Sequence, residues 1–410
     1  MASENKLTTN RKVQLIAAAT VDNMDYLKAS VDKMPDGTLT QSKFGRSFSV
    51  YLPDPGKVIQ GLKADPDSIV ECPVEIYMDN FNTSVTIDEF EDKTEIEDFT
   101  REVAKPKGVA LARNVQKAVV ENNIFQSFQA VVKSGAPGFD LLSDASEALE
   151  DLSVAGDVVT FQKPSILGKI ASSNVGKFYK DSTAEQLYTK AYIGEFANAS
   201  TIGLAVVPTV KTGNSIPSAG LTYEIAGDNS WETTGITGTG LYAGLAYKVL
   251  DQNDNPVRIV DASGIETQNE MVVICTPVFD GYDTRANGKK IKTKLGIPQL
   301  RIAKTGTHEN NPNGWCESDA TSFKLVALLS ANKTYVIGQT RLSDAVDFSG
   351  YKFKDLPGSA NSTVATVGGI SVKLSQYGDG EYLESLYRLD LPCANGTLDP
   401  RFSVTTFLEV

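Results

Sequence analysis

Histidine and cysteine are scarce in this sequence. One histidine and four cysteines occur among 410 residues. No two cysteines are close in sequence, which excludes a CxxC metal knuckle and a recognisable disulfide framework and favours a reducing compartment. His308 lies in a polar, turn-rich stretch without a nucleophile signature, so a surface position is favoured over catalysis. The cysteines are expected to be small buried hydrophobes: Cys72, Cys275, Cys316 and Cys393.

Long apolar runs and an excess of basic residues are also missing. No apolar run approaches the ~18 residues that span a bilayer, and the first residues lack a secretion-signal layout, so we expect no membrane association. Lys and Arg number 39 against 51 Asp and Glu, a net charge of −12 that disfavours general nucleic-acid binding. The 41% hydrophobic content is typical of a globular protein, with two or three compact units at ~150 residues each.

One segment resembles a calcium loop but departs from it at two positions. Asp251, Asn253 and Asn255 match the first ligand positions. Pro256 stands where glycine is required, and Ala262 stands where a bidentate carboxylate is required. The pattern therefore predicts a hairpin turn rather than a metal site.

Two other motifs also indicate ordinary structure. Gly238, Gly240 and Ala243 fit the alanine-ended dinucleotide fingerprint, but neither an apolar strand before them nor a helix after them is indicated, so turn glycines are favoured. A basic cluster lacks interleaved aromatics and is interpreted as a solvated or subunit-facing strand: Arg285, Lys289, Lys290, Lys292 and Lys294. We predict no catalytic, cofactor-binding or metal-binding residues and no enzyme activity.

The N-terminal half carries a helix, a hairpin and a second, longer helix. Apolar residues at three- and four-residue steps from Val13 to Met34 predict a helix that must lie on another element. Alternation at 48–52 and 72–78 predicts an extended hairpin whose proline-rich tip is received by a partner surface; an ordinary surface loop is the alternative. An acidic run, 88–98, precedes a helix predicted to continue to Lys133, with Pro106 in its first turn. The helical stripe comprises Leu111, Val115, Ala118, Asn122, Phe125, Phe128 and Val132.

The remaining chain is mixed and then strand-rich. Ser182 to Glu185 is a candidate capping box, and 201–210 predicts a buried strand. From Ala219 to Lys333, frequent turn signals predict a separate all-β insertion large enough for its own core. Alternation in 370–374, 387–391 and 402–408 predicts closing strands, with turns at Gly378-Asp379-Gly380 and Asn395-Gly396.

This order of parts resembles the major capsid proteins of tailed bacteriophages with the Hong Kong 97-type fold. More narrowly, it resembles podovirus coat proteins with an inserted β domain, of the Salmonella phage P-twenty-two type. The segments that carry the resemblance are Val74 to Met78, Ala110 to Val132, Gly368 to Ile370, Tyr377 to Gly380, Leu386 to Leu389 and Asn395 to Thr397.

The resemblance implies an α+β fold in six segments. These are an N-terminal arm (1–45), an extended loop (46–87), a peripheral domain with a spine helix (88–134), an axial domain (135–218), a β insertion domain (219–333) and an axial and peripheral β return (334–410).

The resemblance also implies a function. Copies would form hexamers and pentamers of an icosahedral head, around a scaffolding protein and with a portal protein and a possible decoration protein, and would enclose double-stranded DNA without specific binding. The location would be the virion, and the host cytoplasm during assembly. A head-decoration or adhesion protein is the alternative. Some relatives cross-link a lysine to an asparagine; Lys57 and Lys63 lie in the hairpin tip, but no partner is located, so solvated lysines are favoured.

Overall fold

The computed structural model is a strand-rich mixture of helices and strands. It describes the following residues: 9–33, 47–52, 72–88, 101, 105–152, 156–174, 195–196, 198–225, 230–237, 240–261, 265–283, 290–297, 301–303, 316–318, 320, 322–350, 361–367, 370–379 and 384–410. Within them the α-helices, numbered along the chain, are α1 (Thr9–Val21), α2 (Asp25–Lys28), α3 (Lys105–Asn123), α4 (Asp140–Glu150) and α5 (Pro164–Asn174).

The strands, also numbered along the chain, form four sheets among these residues. A six-stranded sheet contains β1 (Ser47–Leu52), β2 (Cys72–Asp88), β20 (Val346–Gly350), β21 (Asn361–Val367), β22 (Ile370–Asp379) and β23 (Glu384–Thr397). A seven-stranded sheet contains β3 (Gln129–Lys133), β4 (Val158–Gln162), β5 (Glu195–Phe196), β6 (Ala199–Gly203), β7 (Thr209–Lys211), β19 (Thr334–Leu342) and β24 (Ser403–Glu409).

The other two sheets lie within 219–327. The nine-stranded sheet contains β8 (Ala219–Ile225), β9 (Ser230–Thr237), β10 (Ala246–Leu250), β11 (Arg258–Val260), β12 (Glu266–Glu270), β13 (Val272–Ile274), β16 (Arg301–Ala303), β17 (Cys316–Glu317) and β18 (Phe323–Ala327). A two-stranded hairpin contains β14 (Thr276–Asp283) and β15 (Lys290–Gly296).

The chain divides into two compact units. Unit 1 comprises Met1–Val50, Glu75–Val119 and Asp347–Gly396. Unit 2 comprises Tyr51–Val74, Val120–Val346 and Thr397–Val410. The six-segment division of the chain stays a prediction.

Unit 1 contains most of the six-stranded sheet, whose order is β1-β2-β23-β22-β21, with β20 also paired to β23. Leu374 of β22 is the register partner of Leu389 of β23, and both are buried. The predicted alternation of these two strands is confirmed. Cross-strand apolar pairs of this kind are the units from which a sheet gains its stability.

The N-terminal helix is shorter than the sequence pattern predicts. The helix predicted from Val13 to Met34 ends at Val21, and the four-residue α2 follows. The hydroxyl of Thr20 donates to the carbonyl of Ile16, and Nδ2 of Asn23 donates to the carbonyl of Ala19. Such side-chain bonds compete with continued helix, which gives a reason for the break.

Helix α1 packs on its own unit, as the prediction that it lies on another element requires. It contacts β21 and β22. Helix α3 also reaches it, since a Cβ at Gly108 would stand 2.8 Å from Cβ of Ala19. Only glycine therefore fits at position 108.

Helix α3 begins as predicted and ends earlier. Pro106 lies in its first turn, but the helix stops at Asn123, and Gln129 to Lys133 form strand β3. The predicted continuation through Phe125, Phe128 and Val132 is therefore wrong. Strand β3 instead pairs in parallel with β24.

Unit 2 has a core to which distant segments contribute. Among the described residues, apolar side chains of 219–333, the range predicted to be a separate insertion, share one cluster with residues outside it, and the insertion domain stays a prediction. The members from outside the range are Phe128, Ala145, Leu149, Leu152 and Val404; those from within it include Tyr247, Val249, Ile259, Val273 and Leu325. The described residues of 219–333 are nevertheless strands and turns without a helix, as predicted.

Two further details of the sequence prediction are wrong. The strand predicted over 201–210 is two strands, β6 and β7, although Leu204 and Val207 between them are buried. The predicted turn at Asn395-Gly396 lies inside β23, and β24 belongs to another sheet. A Cβ at Gly396 would stand 2.6 Å from Cδ1 of Ile76, so this glycine lies in a closely packed strand rather than in a turn.

Candidate functional site

The cysteines that the structure describes with their side chains are buried, as the sequence predicts. Cys275, Cys316 and Cys393 are free thiols with no exposed surface. Burial raises the pKa of the Cys275 thiol to about 12 and also raises the pKa of Cys393. A thiol must ionise to act as a nucleophile, so the raised pKa disfavours this role for Cys275 and Cys393. Cys72 lies at the start of β2, and His308 lies outside the described residues.

The segment that resembles a calcium loop is a turn, as predicted. Oδ1 of Asp251 accepts hydrogen bonds from the backbone N–H groups of Asn253 at 2.7 Å and Asn255 at 2.8 Å. These bonds lower the pKa of Asp251, the bond from Asn255 most. The carboxylate therefore closes the turn. One isolated antiparallel bridge, from Leu250 to Pro256, closes the turn. The strands on either side, β10 and β11, form ladders with other strands of the sheet and not with each other.

The glycine-rich stretch lacks the strand–helix context of a nucleotide site. Gly238 lies outside the described residues, while Gly240 and Gly244 adopt φ values of +76° and +91° in turns. Strand β10, not a helix, follows. The turn-glycine interpretation is confirmed for these two residues.

Among the described residues, no three His, Cys, Asp or Glu side chains are placed to share a metal ion. None of the described helices is both long and apolar enough to cross a membrane. Lys290, Lys292 and Lys294 lie in β15, so the strand predicted for the basic cluster is confirmed, while Arg285 and Lys289 lie outside the described residues.

Several predicted features fall outside the described residues. They are the hairpin tip with Lys57 and Lys63, the acidic run after Asp88, and the capping box at 182–185.

Strands β1 and β2 form a two-stranded ribbon at the edge of the six-stranded sheet, which we call the edge ribbon. The ladder between β2 and β23 begins at the pair Tyr77 and Asn395, whereas β2 itself begins at Cys72. The first five residues of β2 therefore precede this ladder. Within the described residues, β1 has a strand neighbour on its β2 side only.

The two faces of β1 differ in character. Phe48 and Val50 are buried, whereas Ser49 and Tyr51 are exposed, Tyr51 at 59% of its surface. An edge strand presents unpaired backbone N–H and C=O groups, which are a template for pairing with another chain. The edge ribbon is therefore the surface of the described chain best suited to association with a second polypeptide.

Hydrogen bonds fix the start of the edge ribbon. Ser47 Oγ donates to Oε1 of Glu75 at 2.6 Å, and the hydroxyl of Tyr77 donates to Oε2 of the same carboxylate at 2.9 Å. One carboxylate thus joins β1 to two positions of β2. The sequence pattern did not predict this contact, because a glutamate in a strand indicates only a solvent-facing position.

A buried carboxylate anchors β2 to β23. Asp390 is 2% exposed and accepts bonds from Nε and Nη2 of Arg388 at 3.0 and 2.9 Å and from Nδ2 of Asn80 at 2.8 Å. Three donors on one oxygen offset the cost of burying the charge. The sequence pattern did not predict this cluster, because Asn80 and Asp390 lie 310 residues apart.

A second buried carboxylate holds the N-terminal segment. Asp347 has no exposed surface, and its Oδ1 accepts from the backbone N–H of Lys33 at 2.7 Å. The hydroxyl of Ser349 lies within hydrogen-bond distance of both carboxylate oxygens. Desolvation raises the pKa of Asp347 to about 6, while these bonds act in the opposite direction and Asp32 adds to the rise. Val31 also forms a parallel bridge with Asp347.

No protein-family model matches the chain, and no curated protein matches it in sequence. Several solved structures are similar to it. A structure titled "Capsid structure of the Cyanophage P-SCSP1u" is 12% identical, with a TM-score of 0.45, over 92% of this chain and 86% of that one. A structure titled "Mycobacterium phage Che8" is 9% identical, with a TM-score of 0.41, over 92% of this chain and 89% of that one. A third, "Asymmetric unit of bacteriophage PhiM1 mature capsid", is 12% identical, with a TM-score of 0.40, over 89% of this chain and 82% of that one.

Proposed function

We propose that the chain is a major capsid protein whose copies assemble into the shell of a bacteriophage head. The observation that carries the proposal is the edge ribbon. Strand β2 begins five residues before its ladder with β23, and β1 has one strand neighbour within the described residues. Backbone groups at such an edge bond readily to a further strand, and a second copy supplies one.

The chemistry of the described residues supports a structural role over a catalytic one. The three described thiols are buried, and burial raises the pKa of Cys275 and Cys393. The buried carboxylates Asp347 and Asp390 hold chain segments together through hydrogen bonds. Carboxylates that hold chain segments together have a structural role, and the subunit of a shell requires no catalytic residues.

The finer proposal is a Hong Kong 97-type fold with an extended loop over 46–87, closest to podovirus coat proteins with a β insertion. The element order supports it: N-terminal helices, edge ribbon, α3, a mixed region, then the strands β8 to β18. On this proposal copies form hexamers and pentamers, with scaffolding, portal and decoration proteins as further partners. The assembled copies are part of the virion, and assembly takes place in the host cytoplasm.

A head-decoration or adhesion protein is the second candidate, favoured by the strand-rich region after Ala219. Copy number in purified particles separates the two candidates. A coat protein is the most abundant polypeptide of the shell, whereas a decoration protein can be removed without loss of the shell.

The test of the leading proposal is electron microscopy of the full chain, expressed alone and together with a scaffolding protein. Closed shells of uniform diameter are expected. Discrete monomers under every condition would contradict the proposal.

A further inference from the structure

A short surface segment of the N-terminal region lies against a buried carboxylate. Val31, Asp32 and Lys33 follow α2; the first is half-buried and the other two are exposed. Asp347 of β20 has no exposed surface. The N–H of Lys33 donates to Oδ1 of Asp347 at 2.7 Å, and the N–H of Phe348 donates to the carbonyl of Val31 at 2.8 Å. These two hydrogen bonds dock the segment on β20.

The docked segment contributes little apolar burial, and the helix before it is anchored separately. Val31 is the one apolar residue of 31–33. In α2, Tyr26 and Leu27 are buried, and the backbone N–H of Tyr26 donates to Oε1 of Gln116 at 3.2 Å. Segments with few buried apolar contacts open locally at low free energy. Residues 31–33 can therefore leave β20 while α2 stays in place.

The two buried carboxylates of unit 1 differ in their partners. Asp390 accepts from the guanidinium of Arg388 at 3.0 and 2.9 Å, so its charge is compensated. Among the described residues, Asp347 forms no ion pair, and its donors are the backbone N–H of Lys33 and the hydroxyl of Ser349. A buried carboxyl without a cation favours its neutral, protonated form.

The geometry around Asp347 accommodates a proton without loss of the docking bond. A proton on Oδ2 would be donated to Oγ of Ser349 at 3.0 Å, while Oδ1 would still accept from the N–H of Lys33. After ionisation the negative charge would remain in a buried site with two neutral donors. The docked arrangement therefore suits the neutral carboxyl.

The charged neighbours of Asp347 lie mainly on the docked segment itself. Asp32 raises the pKa of Asp347, whereas the charge of Lys33 lowers it. Strand β20 has no other titratable residue. On β23, which pairs with β20, Arg388 and Asp390 bind each other.

We propose that Asp347 and residues 31–33 form a proton-dependent latch, in which the protonated carboxyl holds the segment on β20 and ionisation favours its release. The chain continues from Lys33 towards β1, so the latch determines whether the start of this connection is tied to β20.

The direction of the pH dependence follows from burial. Desolvation raises the pKa of Asp347 to about 6 in the docked state, and access of water after release returns it to its ordinary value near 3.8. The docked state therefore binds the proton more tightly, and docking weakens as pH rises between these two values. The ratio of released to docked segment should increase about 60-fold between pH 4 and pH 7.5.

Amide hydrogen exchange of the unassembled full chain, read by mass spectrometry of peptides covering 29–33 and 346–350, measures this release. After correction for the pH dependence of intrinsic exchange, protection of the Lys33 and Phe348 amides is expected to fall about 60-fold between pH 4 and pH 7.5. Asp347→Asn cannot ionise and keeps an oxygen for the N–H of Lys33, so its protection should not change with pH.

Three further variants test the assignment. The matched control Asp344→Asn removes an exposed carboxylate three residues away and should behave as the wild-type chain. Asp32→Asn removes a charge that raises the pKa of Asp347, so the midpoint of the protection change should move to lower pH. Ser349→Ala removes a hydrogen bond that lowers this pKa, so the midpoint should move to higher pH.

The amides of Val336 to Gln339 in β19 report whether the opening is local. They are expected to be more protected than the Lys33 amide at every pH. Equal protection at both places would show that the segment opens only when the whole protein unfolds, and would overturn the latch. Wild-type protection that does not change with pH, or midpoints unmoved by both Asp32→Asn and Ser349→Ala, would overturn it as well.

Discussion

The approach of α1 to α3 predicts that an alanine at position 108 will destabilise the protein. Gly108 lies in the first turns of α3, and glycine-to-alanine changes in helices normally stabilise by about 1 kcal/mol. Here the new methyl group would stand 2.8 Å from Cβ of Ala19 and 3.1 Å from the backbone oxygen of Ile16 and the backbone nitrogen of Thr20. Overpacking of this kind costs about 1 to 3 kcal/mol, so the net effect is a loss of about 1 kcal/mol.

Gly168 of α5 is the matched control. A Cβ at this position would meet no atom within 4 Å, so Gly168→Ala is expected to stabilise by about 1 kcal/mol. Urea unfolding of the unassembled chain, followed by circular dichroism, measures both variants as shifts in midpoint. The two shifts should have opposite signs. The double variant Gly108→Ala with Ala19→Gly should recover part of the loss.

An increase in midpoint for Gly108→Ala equal to that of Gly168→Ala would refute this reasoning. The helices would then be too far apart for position 108 to matter, and propensity alone would decide both substitutions.

Three further predictions concern folding, pH and assembly. Phe128→Asp is expected to abolish soluble folding, because Phe128 is fully buried in the core of unit 2, whereas Phe128→Leu should only lower the melting temperature; normal yield of the aspartate variant would contradict this burial. Burial raises the pKa of Asp347 from an ordinary value near 3.8 to about 6, so folding takes up a proton and stability falls as pH rises between these values. Relative to Asp347→Asn, the wild-type chain should lose about 2 kcal/mol between pH 4 and pH 7.5, while the exposed Asp344→Asn serves as the matched control; parallel curves for wild type and Asp347→Asn would refute the assignment. Deletion of 54–67 should leave the melting temperature unchanged and prevent shell formation, and intact shells from that variant would argue against the edge ribbon as an assembly element.

The sequence pattern was sufficient where one face of an element is buried. The alternation in 370–374 and 387–391 predicts strands that the structure confirms, and Val372 and Leu391 are fully buried. Pro106 at the start of α3 was equally predictable, since proline fits only the first turn. These features depend on local periodicity, which a single chain reveals.

The end of α3 could not be predicted from the sequence, because distant residues determine it. Oδ1 of Asn123 accepts from Thr397, and the carbonyl of Ile124 accepts from Thr405 Oγ1 at 2.7 Å. These partners lie more than 270 residues away. The apolar spacing continues through Phe128, but tertiary bonds take the backbone groups that a longer helix would use.

In the candidate site, too, the strands were predictable from the sequence and the contacts between distant residues were not. Period-two alternation predicts the strands of the edge ribbon, and the structure confirms both strands as neighbours. The carboxylates that hold the ribbon and the N-terminal segment, Asp390 and Asp347, gave no signal, because a lone aspartate in a strand carries no local pattern.

Cryo-electron microscopy of shells assembled from the purified chain tests the capsid proposal most directly. We expect a closed icosahedral particle in which β1 of each copy contacts a neighbouring copy. A chain that stays monomeric with every scaffold and salt condition tried would contradict the proposed function. A closed particle in which β1 faces solvent would contradict the role of the edge ribbon in assembly.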